Sequence, residues 1–189
     1  MTSPTSVGGD ERLRLFLALR LPGPALDGIE AWQRRHLRGV RAVARDHLHL
    51  TLAFLGHRPA GELHAIVQVL REAAAGAAAD LRLTPSRYRE TRSVAMLVFD
   101  DEGGRVTAVA EAVQAGLERL GVYRRERRPW LPHVTVARYR RRPGLRLEPP
   151  ALGTCVPSDA AAYLSRLHPS GAQYEVLESV ALGGHERGS

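Results

Sequence analysis

Leucine occupies every odd position from Leu13 to Leu19, with Arg14, Phe16 and Ala18 between them. That alternation predicts a strand whose leucines face the core and whose other three side chains share the opposite face. Pro22 and Pro24 then open a helix running to about Leu37. A loop leads to a second strand, His47 to Phe54, in which Leu50, Leu52 and Phe54 face the core and Gly56 ends the run. From Ala60 to about Ala79, Leu63, Ile66, Val67 and Leu70 recur on one helical face. Short strands are expected near Leu81 to Leu83 and Val94 to Phe99, with a turn over Asp100 to Gly104. The helix after that turn buries Val106, Val109, Ala110, Val113, Leu117 and Leu120. An Arg-rich loop leads into a strand from His133 to about Tyr139, and two more strands are expected near Ala160 to Leu167 and Tyr174 to Leu182. Residues 1–10, rich in Ser, Thr, Gly and Pro, read as a disordered tail and 185–189 as a second one. That leaves 11–184 as one two-lobed domain.

A weak internal repeat runs through these elements. Strand, helix, then a strand carrying His-apolar-Thr-apolar occurs over residues 13–54 and again over 94–139. The motif histidine follows its first strand by 33 residues from Phe16 to His49 and by 36 from Leu97 to His133. Duplicated units of this kind place a site between two lobes, with one polar strand from each. The two motifs are His49-Leu50-Thr51-Leu52 and His133-Val134-Thr135-Val136. Strand side chains alternate, so His and Thr share one face while the apolar partners anchor the other. Two such strands facing each other clamp a phosphodiester. One neutral imidazole takes a proton from the attacking oxygen, one imidazolium gives a proton to the leaving oxygen, and the threonine hydroxyls hold the non-bridging oxygens. This chemistry needs no metal or other cofactor, and no acidic cluster with metal-ligand spacing is evident.

Composition sharpens the choice of partner. The 189 residues are 44% hydrophobic and 25% charged, ordinary for a soluble globular protein. The apolar stretch near the N-terminus is broken by Arg14 and Arg20, too short and too charged for a membrane span or signal peptide. Cys155 is the lone cysteine, so no intrachain disulfide forms and a reducing, cytoplasmic setting is expected. The formal charge is +7 and all 27 basic residues are arginine, whose planar fork pairs with phosphate oxygens and stacks on bases. Arginine runs at 124–128 and 138–142 bracket the second motif, as an RNA-backbone contact or as a solvated loop.

The flanks of the motifs carry a specific resemblance. His47-Leu48-His49-Leu50-Thr51-Leu52-Ala53-Phe54-Leu55-Gly56 resembles the first signature of the bacterial and archaeal RNA 2′,3′-cyclic phosphodiesterases, also called 2′-5′ RNA ligases, of the two-histidine phosphoesterases. Arg127-Arg128-Pro129-Trp130-Leu131-Pro132-His133-Val134-Thr135-Val136-Ala137-Arg138 resembles the second. Arg14 to Leu19, Tyr163-Leu164-Ser165 and Gly171-Ala172-Gln173-Tyr174 also match, so the likeness spans about residues 12–182. It implies a bilobal α+β fold with antiparallel sheets around a central cleft. It implies metal-independent hydrolysis of RNA or nucleoside 2′,3′-cyclic phosphates to 2′-phosphomonoesters, with His49 as proton donor and His133 as proton acceptor. Thr51 and Thr135 would then bind phosphate, and Arg138 matches a family arginine five residues after the second histidine. The sequence departs from the family where His47 replaces a common Asn, and where Ala95-Met96-Leu97-Val98 lacks the Trp often found there.

Three further residues are candidates for substrate contact. Phe16 and Trp130 offer rings on which a terminal base could stack, or pack inside the protein. His47, read on the same strand face as His49, adds a second imidazole and opens a metal-binding alternative. His36, His57, His64, His168 and His185 read as surface or loop residues. Other readings of the whole site are 2′-5′ RNA ligation, the reverse reaction at the same groups, and a non-catalytic RNA-binding module. Because one chain supplies both motifs, a monomer is expected.

Overall fold

The computed structural model describes residues 11–169 and 171–183; the tails expected at 1–10 and 185–189 lie outside them. Two four-stranded antiparallel sheets and three helices make up the fold. The first sheet contains β1 (Arg12–Arg20), β3 (His49–Pro59), β7 (Asp159–His168) and β8 (Gly171–Val180), in the order β3-β1-β7-β8. The second contains β2 (Arg41–Ala42), β4 (Leu83–Glu90), β5 (Val94–Asp101) and β6 (His133–Arg138), in the order β2-β6-β5-β4. The helices are α1 (Gly23–His36), α2 (Leu63–Ala75) and α3 (Arg105–Arg119). No helix among the described residues is long and apolar enough to cross a membrane.

The leucine alternation in β1 works as expected on one side. Leu15, Leu17 and Leu19 join Leu50, Leu52, Ala160, Ala162 and Leu164 in a core shared with all three helices. Its other face is not open: Phe16 and Ala18 are buried with Ala161 and Tyr163, and Tyr174 packs on them. α2 and α3 pack against each other and against the first sheet, a close approach that Gly116 permits. A Cβ there would sit 2.5 Å from Val69 Cγ1. The Asp101 carboxylate accepts hydrogen bonds from the backbone of Val106 (3.1 Å) and Thr107 (2.6 Å), which caps α3 in place of a serine or threonine.

The repeat read from the sequence is visible as β1-α1-β3 and β5-α3-β6, and its halves are interlocked. Gln33, on the helix of the first unit, is buried and donates to Val136 O of β6 at 2.9 Å and to Val43 O at 3.0 Å. Gln114, on the helix of the second unit, is buried and donates to Leu52 O of β3 at 2.9 Å. Each motif strand is therefore held by the other unit's helix. Both acceptors lie at β-bulges. Leu17 pairs with Ala53 and Ala18 with Thr51, which leaves Leu52 as the extra residue. Ala95 pairs with Ala137 and Met96 with Thr135, which leaves Val136 as the extra one. A bulge disrupts the ladder at its extra residue, and the buried glutamine supplies that residue's carbonyl with a donor.

Several expected boundaries shift for physical reasons. His47 is not on the strand: Arg45–His47 form a 3₁₀ turn, closed by His47 N to Ala44 O (2.9 Å) and Leu48 N to Arg45 O (3.0 Å), and β3 starts at His49. Gly56 does not end β3; it takes a positive φ of 64° beside a second bulge at Leu55, and pairing with β1 continues to Pro59. The helix expected from Ala60 is a 3₁₀ turn (Ala60–Glu62) before α2 and stops at Ala75. Leu120 follows the last turn of α3 and is exposed rather than buried. Phe54 is also exposed, at 48%, because the bulge turns it away from the face of Leu50 and Leu52.

Candidate active site

A cleft of about 460 Å³ lies between the two sheets. His49 and Thr51 of β3 and His133 and Thr135 of β6 all line it. So do Arg138, Phe16 and His47, together with Arg14, Arg41, Phe54 and Tyr174, which the sequence analysis did not single out as site residues. Among the described residues, three arginines and three histidines border the cleft, and no carboxylate does. Such a lining concentrates positive potential on an anion. The Thr51 and Thr135 hydroxyls have no protein hydrogen-bond partner among the described residues, so both are available to a ligand.

The motif histidines sit in different settings. His133 Nδ1 lies 2.8 Å from Leu131 O. A carbonyl only accepts, so Nδ1 carries the hydrogen and the neutral ring keeps Nε2 as its acceptor. His49 rests on an aromatic bed. Phe16 is stacked at 4.9 Å between ring centroids, Tyr163 at 5.8 Å, and Tyr174 meets it edge-on at 5.7 Å. Its Nδ1 is buried and forms no hydrogen bond; the His47 carbonyl favours the protonated ring without reaching bonding geometry. Burial dominates and lowers the His49 pKa to about 4, helped by the positive charges of His47, Arg138 and His133.

The remaining candidates divide. Phe16 is 3% exposed, stacked on Tyr163 at 4.7 Å, so it supports His49 and offers no free face to a base. Trp130 is not in the cleft. Its Nε1 donates to Thr51 O at 2.9 Å, so an indole of the second unit pins the threonine strand of the first. His47 reaches the cleft from its 3₁₀ turn and contacts Tyr174 at 4.3 Å between centroids. No group of three or more His, Cys, Asp or Glu placed to hold a metal occurs among the described residues. Arg14, on the face of β1 opposite the leucines, donates to Ser165 Oγ at 2.6 Å and lies over the Phe54 ring at 4.6 Å.

Phe54 and the two glutamines were missed as site residues in the sequence, and a comparison of the repeats carries the signal that finds them. His-Leu-Thr-Leu-Ala-Phe and His-Val-Thr-Val-Ala-Arg share alanine at the fifth position, and place Phe54 and Arg138 at the same offset. Gln33 follows Phe16 by 17 residues, and Gln114 follows Leu97 by the same 17.

The chain resembles known proteins along most of its length. The model of the 2′-5′ RNA ligase superfamily matches residues 21–168. An RNA 2′,3′-cyclic phosphodiesterase of Thermus thermophilus is 34% identical over 182 residues, covering 91% of each chain. A protein of the same name from Escherichia coli is 30% identical over 130 residues, covering 68% of this chain and 73% of its own. The crystal structure of E. coli LigT complexed with NADP+ superposes with a TM-score of 0.77 at 27% identity, covering 92% of this chain and 99% of that one. The chain belongs to the 2′-5′ RNA ligase superfamily.

Proposed function

We propose that the chain hydrolyses 2′,3′-cyclic phosphates on RNA ends or nucleosides, giving 2′-phosphomonoesters, with His49 and His133 as acid and base. The observation that supports this best is the twinned His–Thr pairs, one from each sheet, lining a single cleft with arginines and without carboxylates. The name carried by the Thermus and E. coli relatives supports the same substrate.

With Nδ1 committed to Leu131 O, His133 presents Nε2 as a base toward water. The water oxygen bonds to phosphorus, the bond from phosphorus to O3′ breaks, and His49 gives its proton to O3′. Thr51, Thr135 and Arg138 hold the non-bridging oxygens, whose negative charge grows in the transition state. Without a bound anion His49 is neutral at neutral pH, because burial holds its pKa near 4. A bound phosphate anion supplies the opposite charge that favours the protonated ring, so the acid is armed by its substrate. The reading includes a monomer, since one chain carries both motif strands, and a cytoplasmic setting, in keeping with the lone cysteine.

Replacement of His49 or His133 by alanine, assayed on a nucleoside 2′,3′-cyclic phosphate in the presence of a chelator, tests the proposal. Wild-type protein should turn over, and each variant should fold but lose hydrolysis. Full activity in both variants would overturn it.

A further inference from the structure

The cleft carries more positive charge than its proposed reaction uses. A cyclic phosphate is a diester with one negative charge, which Arg138 and a protonated His49 already balance. Arg14 is engaged with Ser165 Oγ at 2.6 Å and with the Phe54 ring. Arg41 and His47 also line the cleft, and neither has a step in opening the ring. Both are held in place. Arg41 of β2 pairs directly with Arg138 of β6, so two guanidiniums share one face of the second sheet. Like charges directly opposite repel, and an anion held by both relieves the repulsion. A Cβ on Gly171 would come within 2.5 Å of Arg41 Nη2, so this guanidinium lies against the bare backbone of β8. His47 is presented by a 3₁₀ turn that Arg45 ties to α1 through Asp27 (2.6 Å) and Glu30 (2.7 Å). Its ring packs on Tyr174 of β8 at 4.3 Å between centroids. These two contacts join residues 41–47 to the start of β8, where Gln173 adds an amide to the lining.

We infer that Arg41 and His47, with the Gln173 amide, bind a second phosphate: the one on the 5′ oxygen of the same nucleoside whose cyclic phosphate is opened. The inference rests on the proposed function, which seats the reacting phosphate between the two motif strands. The 5′ phosphate is the nearest other anion that an RNA end carries, one ribose away, and a nucleoside 2′,3′-cyclic phosphate lacks it. A guanidinium fork meets two phosphate oxygens at once, and imidazole and amide donors reach a third. The cleft then discriminates among cyclic phosphates by what the 5′ oxygen bears. Two sources share this chemistry. In a mononucleotide the 5′ group is a monoester, and in an RNA chain it is the diester of the last linkage.

Three adenosine 2′,3′-cyclic phosphates test this: one with a free 5′ hydroxyl, one with a 5′ phosphate and one with a 5′ methyl phosphate, the diester of a chain linkage. On wild-type protein kcat/KM should be about tenfold higher for a 5′-phosphorylated substrate than for the 5′ hydroxyl, the scale of one hydrogen bond to a charged group. Arg41→Gln and, separately, His47→Asn should each remove most of that advantage while shifting the 5′-hydroxyl substrate far less. Arg34→Gln, which deletes a charge on α1 outside the cleft lining, should preserve it. An advantage for the methyl phosphate marks a chain linkage and one confined to the 5′ phosphate marks a mononucleotide; either supports the second site. Equal kcat/KM for all three substrates overturns the proposal. So does an advantage that survives both cleft variants, or one that Arg34→Gln lowers as much as they do. Calorimetry with adenosine 2′-phosphate and adenosine 2′,5′-bisphosphate reads the same contrast without turnover. Wild-type protein that hydrolyses none of the three counts against the proposed function instead, and the calorimetric contrast still decides the second site.

Discussion

The motif strands β3 and β6 share a frame and differ in what the frame presents. Both begin with the histidine, carry threonine two residues on, bulge at the fourth residue and turn the sixth toward the cleft. Both have the bulge carbonyl held by a buried glutamine from the opposite unit's helix. Yet His133 is oriented by a carbonyl, whereas His49 is embedded among aromatic rings with Nδ1 unpaired. The sixth residue is an arginine on one strand and a phenylalanine on the other. Duplication thus accounts for the symmetry of the proposed phosphate clamp. The packing around each copy differs, and it matters because an imidazole acts as acid or base according to what its surroundings do to the charged form.

The most severe way to break the comparison is to remove one imidazole at a time. His49→Ala and His133→Ala should each lower kcat on a nucleoside 2′,3′-cyclic phosphate by about 10²–10⁴-fold, the usual worth of one positioned acid or base. The double variant should lose much less than the product of the two, since the groups act in one proton circuit. Steady-state kinetics with circular dichroism to confirm folding makes the check. A multiplicative double loss would mean that the two histidines work independently.

Burial of His49 predicts a pH dependence with a definite sign. The unfolded chain binds the His49 proton near the ordinary value of 6.5, while the folded protein holds out until about 4. Folding stability therefore weakens as pH falls from 6.5 toward 4, by about 3 kcal/mol from this group. Denaturant unfolding at pH 7 and pH 4.5 should show the slope, and His49→Gln should remove its share. Phosphate should oppose it by favouring the protonated ring, and should raise the titration midpoint of His49 followed by NMR. A midpoint indifferent to phosphate would deny His49 the role of substrate-armed acid.

The glutamine latches test the symmetry itself. Gln33→Leu and Gln114→Leu each leave a bulge carbonyl without its buried donor, at a cost of about 1–3 kcal/mol. Gln33→Leu strips Val43 O as well, but that contact is only partly buried, and Val136 O keeps one other donor, Val43 N at 2.9 Å. Gln114→Leu should therefore be the more destabilising of the pair, by chemical denaturation, and should displace Thr51 and Phe54 together. Equal losses would show that freeing Val43 O costs as much as the second donor to Val136 O saves.

These latches also explain which parts of the molecule were legible in the sequence. Most strand and helix identities followed from hydrophobic period, though β2 and all of β4 beyond Leu83 did not. The twin His-Thr pairs followed from alternation, because burial imposes both patterns directly on residue type. Phe54 was placed in the core by the same alternation. A bulge inserts one residue and inverts every face assignment after it, and the adjacent apolar pair Leu52-Ala53 marks the place without announcing it. Phe16 looked available because nothing local covers it. Its covers, Tyr163 and Tyr174, arrive from strands more than 140 residues later. His47 looked like a strand residue because the two backbone hydrogen bonds that curl Arg45–His47 leave no trace in polarity.

The smallest expected effects lie at the sixth motif residue, where the two strands differ most in kind. Arg138 acts on a phosphate by charge, and it is exposed without an ion pair among the described residues. Phe54 acts by contact area and by the company of Arg14 over its ring. Arg138→Gln should raise KM several-fold in dilute buffer. That penalty should shrink as salt rises, since the screening length contracts from about 10 Å at 0.1 M to about 3 Å at 1 M. Phe54→Ala should raise KM for a nucleoside 2′,3′-cyclic phosphate by a factor of about five to ten, the lower end of base-stacking losses, with little dependence on salt. KM measured for both variants across a salt series distinguishes the mechanisms. Parallel salt curves would mean that Phe54 serves the site only by holding Arg14, and the two copies of the motif would then differ in residue type but not in physics.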